Sequence, residues 1–248
     1  MRLQIGFSAK HPLFLPWRYP ELLMGLFYRW LNQANLALGM QLHARGWVAE
    51  GHRYKLYTFS WLQAKALQAE TAGLRLTPPL YWQVSSPVSA LIEAFTQGIW
   101  RDPKVTLGRM PLQVETVEVL PEPLPDRSPV RVRTLSPITI STVEMQESWS
   151  KGRKVFLTPQ DSAFSRILGE NLRRKAQVLG LSISVSDEVV FLPLRVRSRL
   201  VHVHGTQVRA YEGLFLYEGP LSLFRVGYQA GFGERSGQGF GMIEIVDR

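Results

Sequence analysis

Tyr28, His43, His52 and Lys55 stand in one stretch of the first half of the chain. A phenol, two imidazoles and an ammonium can take a proton, give one and counter anionic charge. An imidazole titrates near pH 6.5, close to neutrality, whereas a free phenol with a pKa of about 10 is a weak base there. His52 belongs to a basic run, Gly51-His-Arg-Tyr-Lys55. Read without further context, a lone histidine is a surface or structural residue and Lys55 an ordinary lysine at the end of a strand.

A second constellation lies near the C-terminus, in Gly231-Phe-Gly-Glu-Arg-Ser-Gly-Gln-Gly-Phe-Gly241. Gly231, Gly233, Gly239 and Gly241 form two Gly-Phe-Gly clusters around a polar bridge. Glycine tolerates positive φ and close backbone approach, so the pattern makes a tight loop lined with N–H groups, which suits a phosphate. Arg235 adds a charge at its tip. A dinucleotide fold is a poor alternative, because no third glycine stands at the right spacing and too little chain remains for a βαβ unit. A glycine-rich hairpin needed only for packing is the alternative.

A third feature is a basic stripe. Arg195, Arg197 and Arg199 alternate with Leu194, Val196 and Ser198, which sets three guanidinium groups on one strand face. The phase then changes at Val201 and Val203, with His202 and His204 between and after them. A bulge near Arg199–Val201 would bring arginines and histidines onto one exposed face, as a track for a nucleic-acid backbone or as a solvated edge. Two histidine nitrogens without a third ligand make a poor metal site, and no metal or other cofactor is expected.

These residues need elements to hold them. Arg2–Ser8 alternates like a strand, and a helix follows from Pro20 to about Asn35. On that helix Leu23, Leu26, Phe27, Trp30 and Ala34 share an apolar side, and Tyr28 falls outside it, near Gly25 and Asn32. Strands around Tyr54–Phe59 and Leu74–Val84, a helix opened by Ser86-Pro87, and a strand at Leu112–Leu120 complete the half. The second half has strand candidates at Val130–Ser141, then a helix from Thr158 to Leu179 with Thr158 as cap and Pro159 at its first position. Arg173, Arg174 and Lys175 sit near its negative end. Strands at Val189–His204 and Gln207–Tyr217, a helix at Leu221–Tyr228 and a strand at Met242–Val246 follow. Both halves therefore read β-α-β-β-α-β, the ferredoxin-like order of an α+β protein. Pro121, Pro123, Pro125 and Pro129 mark a linker over residues 121–129, between domains at 1–120 and 130–248.

Composition narrows the partner. The 248 residues include 29 Lys and Arg against 20 Asp and Glu, a net charge of +9, which favours a polyanion. Twelve basic and nine acidic residues precede Arg127, and 17 and 11 follow from it, so the second half carries more of the excess. Apolar runs are far shorter than the roughly 20 residues of a membrane span. Met1–Phe7 does not read as a signal peptide. The absence of cysteine excludes disulfides, thiolate metal sites and a cysteine nucleophile. A cytoplasmic chain without membrane contact is the simplest expectation.

The glycine-rich segment resembles the signature loop of the CRISPR repeat-cleaving endoribonucleases of the RAMP superfamily. Val226-Gly-Tyr-Gln-Ala-Gly231, Thr134-Leu-Ser-Pro-Ile138 and Lys55-Leu-Tyr-Thr-Phe-Ser60 are similar to that family as well. The resemblance implies two tandem ferredoxin-like domains and metal-independent cutting of precursor CRISPR RNA. It also implies repeat RNA as partner, with other subunits of a CRISPR effector complex as further candidates. The family's catalytic tyrosine matches Gly25-Leu-Phe-Tyr28, its histidine matches His43 after Met40-Gln-Leu, and its lysine matches Lys55. His52 has no matching family position and remains a rival to His43. In such a site Tyr28 or His43 is the base, the other is the acid, and Lys55 stabilises charge. A relative that binds RNA without cutting it is the alternative.

Overall fold

Alternating apolar residues on Arg2–Ser8 (β1) place Leu3, Ile5 and Phe7 in the interior of the first half. Leu13–Pro16 (β2), Tyr19–Ala34 (α1) and Leu36–Ala44 (α2) follow, then a ribbon of Trp47–Ala49 (β3) and His52–Tyr54 (β4). Next come Thr58–Phe59 (β5), Gln63–Glu70 (β6), Gly73–Ser85 (β7) and Ser89–Arg101 (α3). Lys104–Leu107 (β8) and Met110–Leu120 (β9) close the half. Strands β9, β1, β7 and β6 lie side by side in that order, all antiparallel. Helices α1 and α3 cover the sheet through Leu23, Phe27, Trp30, Leu91, Phe95 and Ile99. They meet closely at Gly98, where an added Cβ would lie 1.9 Å from the Trp30 carbonyl oxygen.

The second half repeats the plan. Val130–Thr134 (β10) is followed by a ribbon of Ser141–Glu144 (β11) and Arg153–Phe156 (β12), and by Ser162–Val178 (α4). A long hairpin of Val190–Val203 (β13) and Thr206–Glu218 (β14), Leu221–Ala230 (α5) and Ile243–Ile245 (β15) complete it. Strands β15, β10, β14 and β13 neighbour one another in that order, as β9, β1, β7 and β6 do. Each half is therefore a β-α-β-β-α-β unit with its own apolar core. The computed structural model describes residues 1–123, 125–145, 152–183 and 188–246. Of segment 121–129, residue 124 is outside that description. No helix among the described residues is long and apolar enough to cross a membrane.

Several local expectations are corrected. The stretch from Leu36 to Ala44, unassigned in the sequence, is helical; its cap is Asn35, whose side chain accepts from the Leu38 amide at 3.0 Å. Strand β6 likewise falls where the sequence pattern predicts no element. Ser86 does not cap α3, which begins at Ser89; its hydroxyl accepts from the Val88 amide and donates to the Leu56 carbonyl at 2.7 Å. Thr158 and Pro159 precede α4 in a turn, because the Asp161 carboxylate takes the Thr158 amide and the helix begins at Ser162. The irregularity in β13 falls between Pro193 and Arg195, and Arg199 to Val203 pair with β14 without interruption. Arg195, Arg197 and Arg199 thus share one face of β13 and His202 takes the other, while His204 lies in the turn beyond it at φ +46°.

Arg2 joins the halves. Its guanidinium is buried, donates to the carbonyls of Ile243 and Tyr228 at 2.8 Å each and lies 3.8 Å from the Tyr228 ring centroid. Burial lowers its pKa to about 10, against the attraction of Tyr228 and Glu122.

Candidate active site at the domain junction

Helix α1 buries Leu23, Leu26, Phe27 and Trp30, so Tyr28 sits at the edge of that stripe, half-buried. Helix α2 brings His43 beside it: the rings meet edge to face, with centroids 5.4 Å apart and planes 80° apart. Burial raises the Tyr28 pKa, and the neighbouring Tyr57 hydroxyl opposes the rise.

The end of α2 is fixed by Lys55. Its ammonium donates to the carbonyl of Leu42 and, at 2.8 Å, to that of His43. Carbonyls in the last turn of a helix lack intrahelical partners, and a cation is favoured there. Lys55 therefore holds the backbone of His43 in place. Burial, and then the nearby Arg53, lower its pKa.

The glycine-rich loop closes the other side. Gly231, Gly233, Gly239 and Gly241 all have φ between +80° and +87°. A Cβ at Gly241 would stand 2.2 Å from the Phe232 carbonyl oxygen, so the position excludes side chains by space as well as by torsion. Thr58 donates to the Phe240 carbonyl at 3.0 Å, Tyr57 to that of Gly237 at 2.9 Å, and Trp61 to that of Gly239 at 3.1 Å. Beneath the loop Lys175 is 2% exposed and donates to the carbonyls of Gly231 and Gly233 at 2.6 and 2.8 Å. Burial lowers its pKa to about 7, with Glu234 opposing. Glu234 in turn accepts from the amide and hydroxyl of Ser141 and from Lys154. Arg235 adopts φ +57° and donates to Gln238 at 2.9 Å; its Nε has no partner among the described residues.

Together these elements enclose a cleft of about 1070 Å³ whose lining includes Tyr28, His43, Lys55, Gly233 and Arg235. His52, on β4, lines it too. Cations outnumber carboxylates in the lining, and the cleft suits an anionic ligand next to a phenol–imidazole pair. Arg195, Arg197 and Arg199 are elsewhere. Arg195 and Arg197 line a separate groove of about 490 Å³ with Trp61 and Arg133. Arg197 and Arg199 both pair with Glu212, the latter at 2.8 Å. Trp61 reaches from this groove to the glycine-rich loop.

Lys175 and Tyr57 were not singled out as site residues in the sequence. The sequence presents Lys175 as one of three cations at a helix end. Yet it falls three residues after Leu172, on the stripe of Phe164, Leu168 and Leu172, where the helical period predicts burial. Tyr57 carried no such signal, because Leu56 at φ +51° breaks the strand alternation on which a reading would rest.

Family models match both halves. The model for the CRISPR-associated protein Cas6 N-terminal region covers residues 14–118, and that for the C-terminal region covers 120–245. The chain is 28% identical, over 100% of its length and 93% of the relative's, to CRISPR-associated endoribonuclease Cas6 1 of Methanocaldococcus jannaschii. It is 26% identical, over 93% of its length and 83% of the relative's, to CRISPR-associated endoribonuclease Cas6 of Pyrococcus furiosus. A solved CRISPR associated protein Cas6 superposes with a TM-score of 0.81 at 26% identity, covering 100% of this chain and 99% of the other. An RAMP protein described as binding different RNA substrates shares the fold at a TM-score of 0.84 and 22% identity, covering 100% of both chains. The two family models span the halves that meet at the tyrosine–histidine cleft, and the chain belongs to the Cas6 family of CRISPR-associated proteins.

Proposed function

We propose that this chain is an endoribonuclease that cuts precursor CRISPR RNA within its repeats without a metal ion. RNA supplies its own nucleophile: the 2′-hydroxyl attacks the adjacent phosphorus and the 5′-oxygen leaves, giving a 2′,3′-cyclic phosphate and a 5′-hydroxyl. The protein must supply a base, an acid and positive charge at the phosphorane-like transition state. The observation that carries the reading is the edge-to-face pair of Tyr28 and His43, 5.4 Å apart, in a cleft completed by the glycine-rich loop. One of the pair takes the 2′-hydroxyl proton and the other gives a proton to the leaving oxygen. Lys55 commits two N–H groups to carbonyls, which leaves a third for a phosphate oxygen. Arg235 and the loop hold the neighbouring phosphates, and Arg195, Arg197 and Arg199 form a track for the RNA backbone outside the cleft. In this reading residues 1–120 and 130–248 act as two domains joined by 121–129. The relatives' names as CRISPR-associated endoribonucleases support repeat RNA as partner; other effector subunits are further candidates of this reading alone.

The test is incubation with repeat RNA in EDTA, with mapping of the cut and its end groups. Cleavage is expected to persist in EDTA and to stop when the nucleotide 5′ of the cut carries a 2′-deoxyribose. Strict dependence on added magnesium would sink the mechanism. Tight binding with no cutting under any condition would make the chain a binding subunit.

A further inference from the structure

Segment Lys55–Phe59 does more than present one cation. Leu56 lies at φ +51°, a left-handed conformation unfavourable for a bulky side chain. The kink buries Leu56 and sends its two neighbours, Lys55 and Tyr57, different ways. Lys55 reaches the end of α2, while Tyr57 points inward, beneath Tyr28 and the glycine-rich loop. Tyr57 is fully buried, with its ring stacked on Phe27 of α1 at 4.0 Å and edge-on to Tyr28 at 6.4 Å between centroids. Its hydroxyl donates to the Gly237 carbonyl at 2.9 Å. One phenol therefore touches α1, Tyr28 and the glycine-rich loop at once.

We propose that Tyr57 is a positioning residue for Tyr28: its hydroxyl, anchored on the Gly237 carbonyl, orients the Tyr28 phenol and stabilises it when ionised, tying that residue to the loop. The inference rests on the reading of Tyr28 as a proton-transfer residue. A hydroxyl carries one proton and two lone pairs. While it donates to Gly237, the Tyr57 oxygen can accept from the Tyr28 hydroxyl. Once Tyr28 loses its proton, rotation about the C–O bond turns the Tyr57 proton onto the new phenolate. Hydrogen bonds to an ionised partner are the stronger kind. Burial and the neighbouring Tyr28 hold the Tyr57 pKa well above the usual phenol value, so Tyr57 stays protonated and able to donate. Its effect on Tyr28 opposes the rise caused by burial. Other ionisable groups that line the cleft with Tyr28 are His43 from α2, His52, Arg53 and Tyr54 from β4, Lys55, Lys154 from β12, Arg166, Glu170, Arg174 and Lys175 from α4, His204, and Glu234 and Arg235 from the loop. The test below leaves all of them in place.

The experiment uses the full chain labelled with ¹³C at the tyrosine ring Cζ. The Tyr28 resonance is assigned by its loss in Tyr28→Phe and titrated in the wild type and in Tyr57→Phe. Single-turnover cleavage at saturating enzyme and affinity for repeat RNA are measured alongside. In Tyr57→Phe the Tyr28 titration is expected to move to higher pH and the pH–rate profile to move with it. Cleavage near neutral pH should fall about tenfold, the worth of one hydrogen bond to a charged group, with affinity nearly unchanged. An unmoved Tyr28 titration overturns the inference, including the case where only affinity falls and Tyr57 is merely a clamp for the loop. If Tyr28→Phe cleaves like the wild type, the reading of Tyr28 fails and the inference fails with it. If Tyr28→Phe is inactive but the titration in Tyr57→Phe is unmoved, the inference alone fails. Should Tyr57→Phe not fold, 3-fluorotyrosine at position 57 serves instead: a stronger donor of nearly equal volume should move the Tyr28 titration to lower pH, and no movement overturns the inference.

Discussion

His43 is exposed on the last turn of a nine-residue helix, too short to hold its shape alone, and it meets Tyr28 because Lys55 binds the carbonyls at that helix end. His52 stands on a ribbon in the same cleft. The two histidines can be separated by experiment. His43→Ala is expected to slow single-turnover cleavage by roughly two to four orders of magnitude, the usual worth of general acid–base catalysis. His52→Ala should cost no more than a few-fold, and neither should greatly change repeat affinity. The reverse result would move the assignment to His52 while leaving the reaction class intact. If neither substitution slows cutting, histidine has no part in the chemistry.

Helix α4 is the element that holds the site together from behind. Arg174 pairs with Glu50 at the turn of the β3–β4 ribbon at 2.8 Å, and one residue on Lys175 grips the glycine-rich loop. A neutral amine keeps two N–H groups, enough for both carbonyls, so the loop stays held when Lys175 loses its proton. Its folded pKa of about 7 lies below the ordinary 10.5. Between those values the unfolded chain binds the proton that the folded chain has released, so unfolding free energy rises with pH. The window that can be read runs from about pH 7 to 9, since buried tyrosines begin to oppose the trend near pH 10. Urea unfolding at pH 7 and at pH 9 should show higher stability at pH 9. Lys175→Met should remove most of that difference, and an unchanged difference would mean that Lys175 is not the group responsible.

At the scale of the whole molecule, the cleft exists only while the halves keep their relative placement. Arg2 reaches from β1 to carbonyls on α5 and β15, and the Met1 amino group pairs with Glu122 at 2.8 Å. Replacing Arg2 by Met leaves the Ile243 and Tyr228 carbonyls without this donor at a buried interface. Arg2→Met is expected to cost about 3 kcal/mol and, at this chain length, to lower Tm by roughly 6–12 °C. Thermal unfolding measures it directly, and a Tm within about 2 °C of the wild type would show that the apolar contacts alone hold the halves.

The double β-α-β-β-α-β order was legible in the sequence, because strand alternation and helical period are local properties of the chain. So was the glycine-rich loop, because only glycine accepts its torsions and close approaches. Tyr28, His43, Lys55 and Arg235 could be singled out by residue type and motif, but their meeting in one cleft depends on packing between segments as many as 207 residues apart. Leu36–Ala44 shows why other parts were missed: its helix has little apolar periodicity and is fixed by an asparagine cap and by a lysine from a later segment. The arginine stripe was read from true alternation, yet the bulge lies at Pro193 rather than near Arg199, and Glu212 takes two of the three guanidinium groups. Periodicity reports which side of an element is apolar. The tertiary structure alone decided which partner waits on the other side, because the donors and acceptors that meet there come from different parts of the chain.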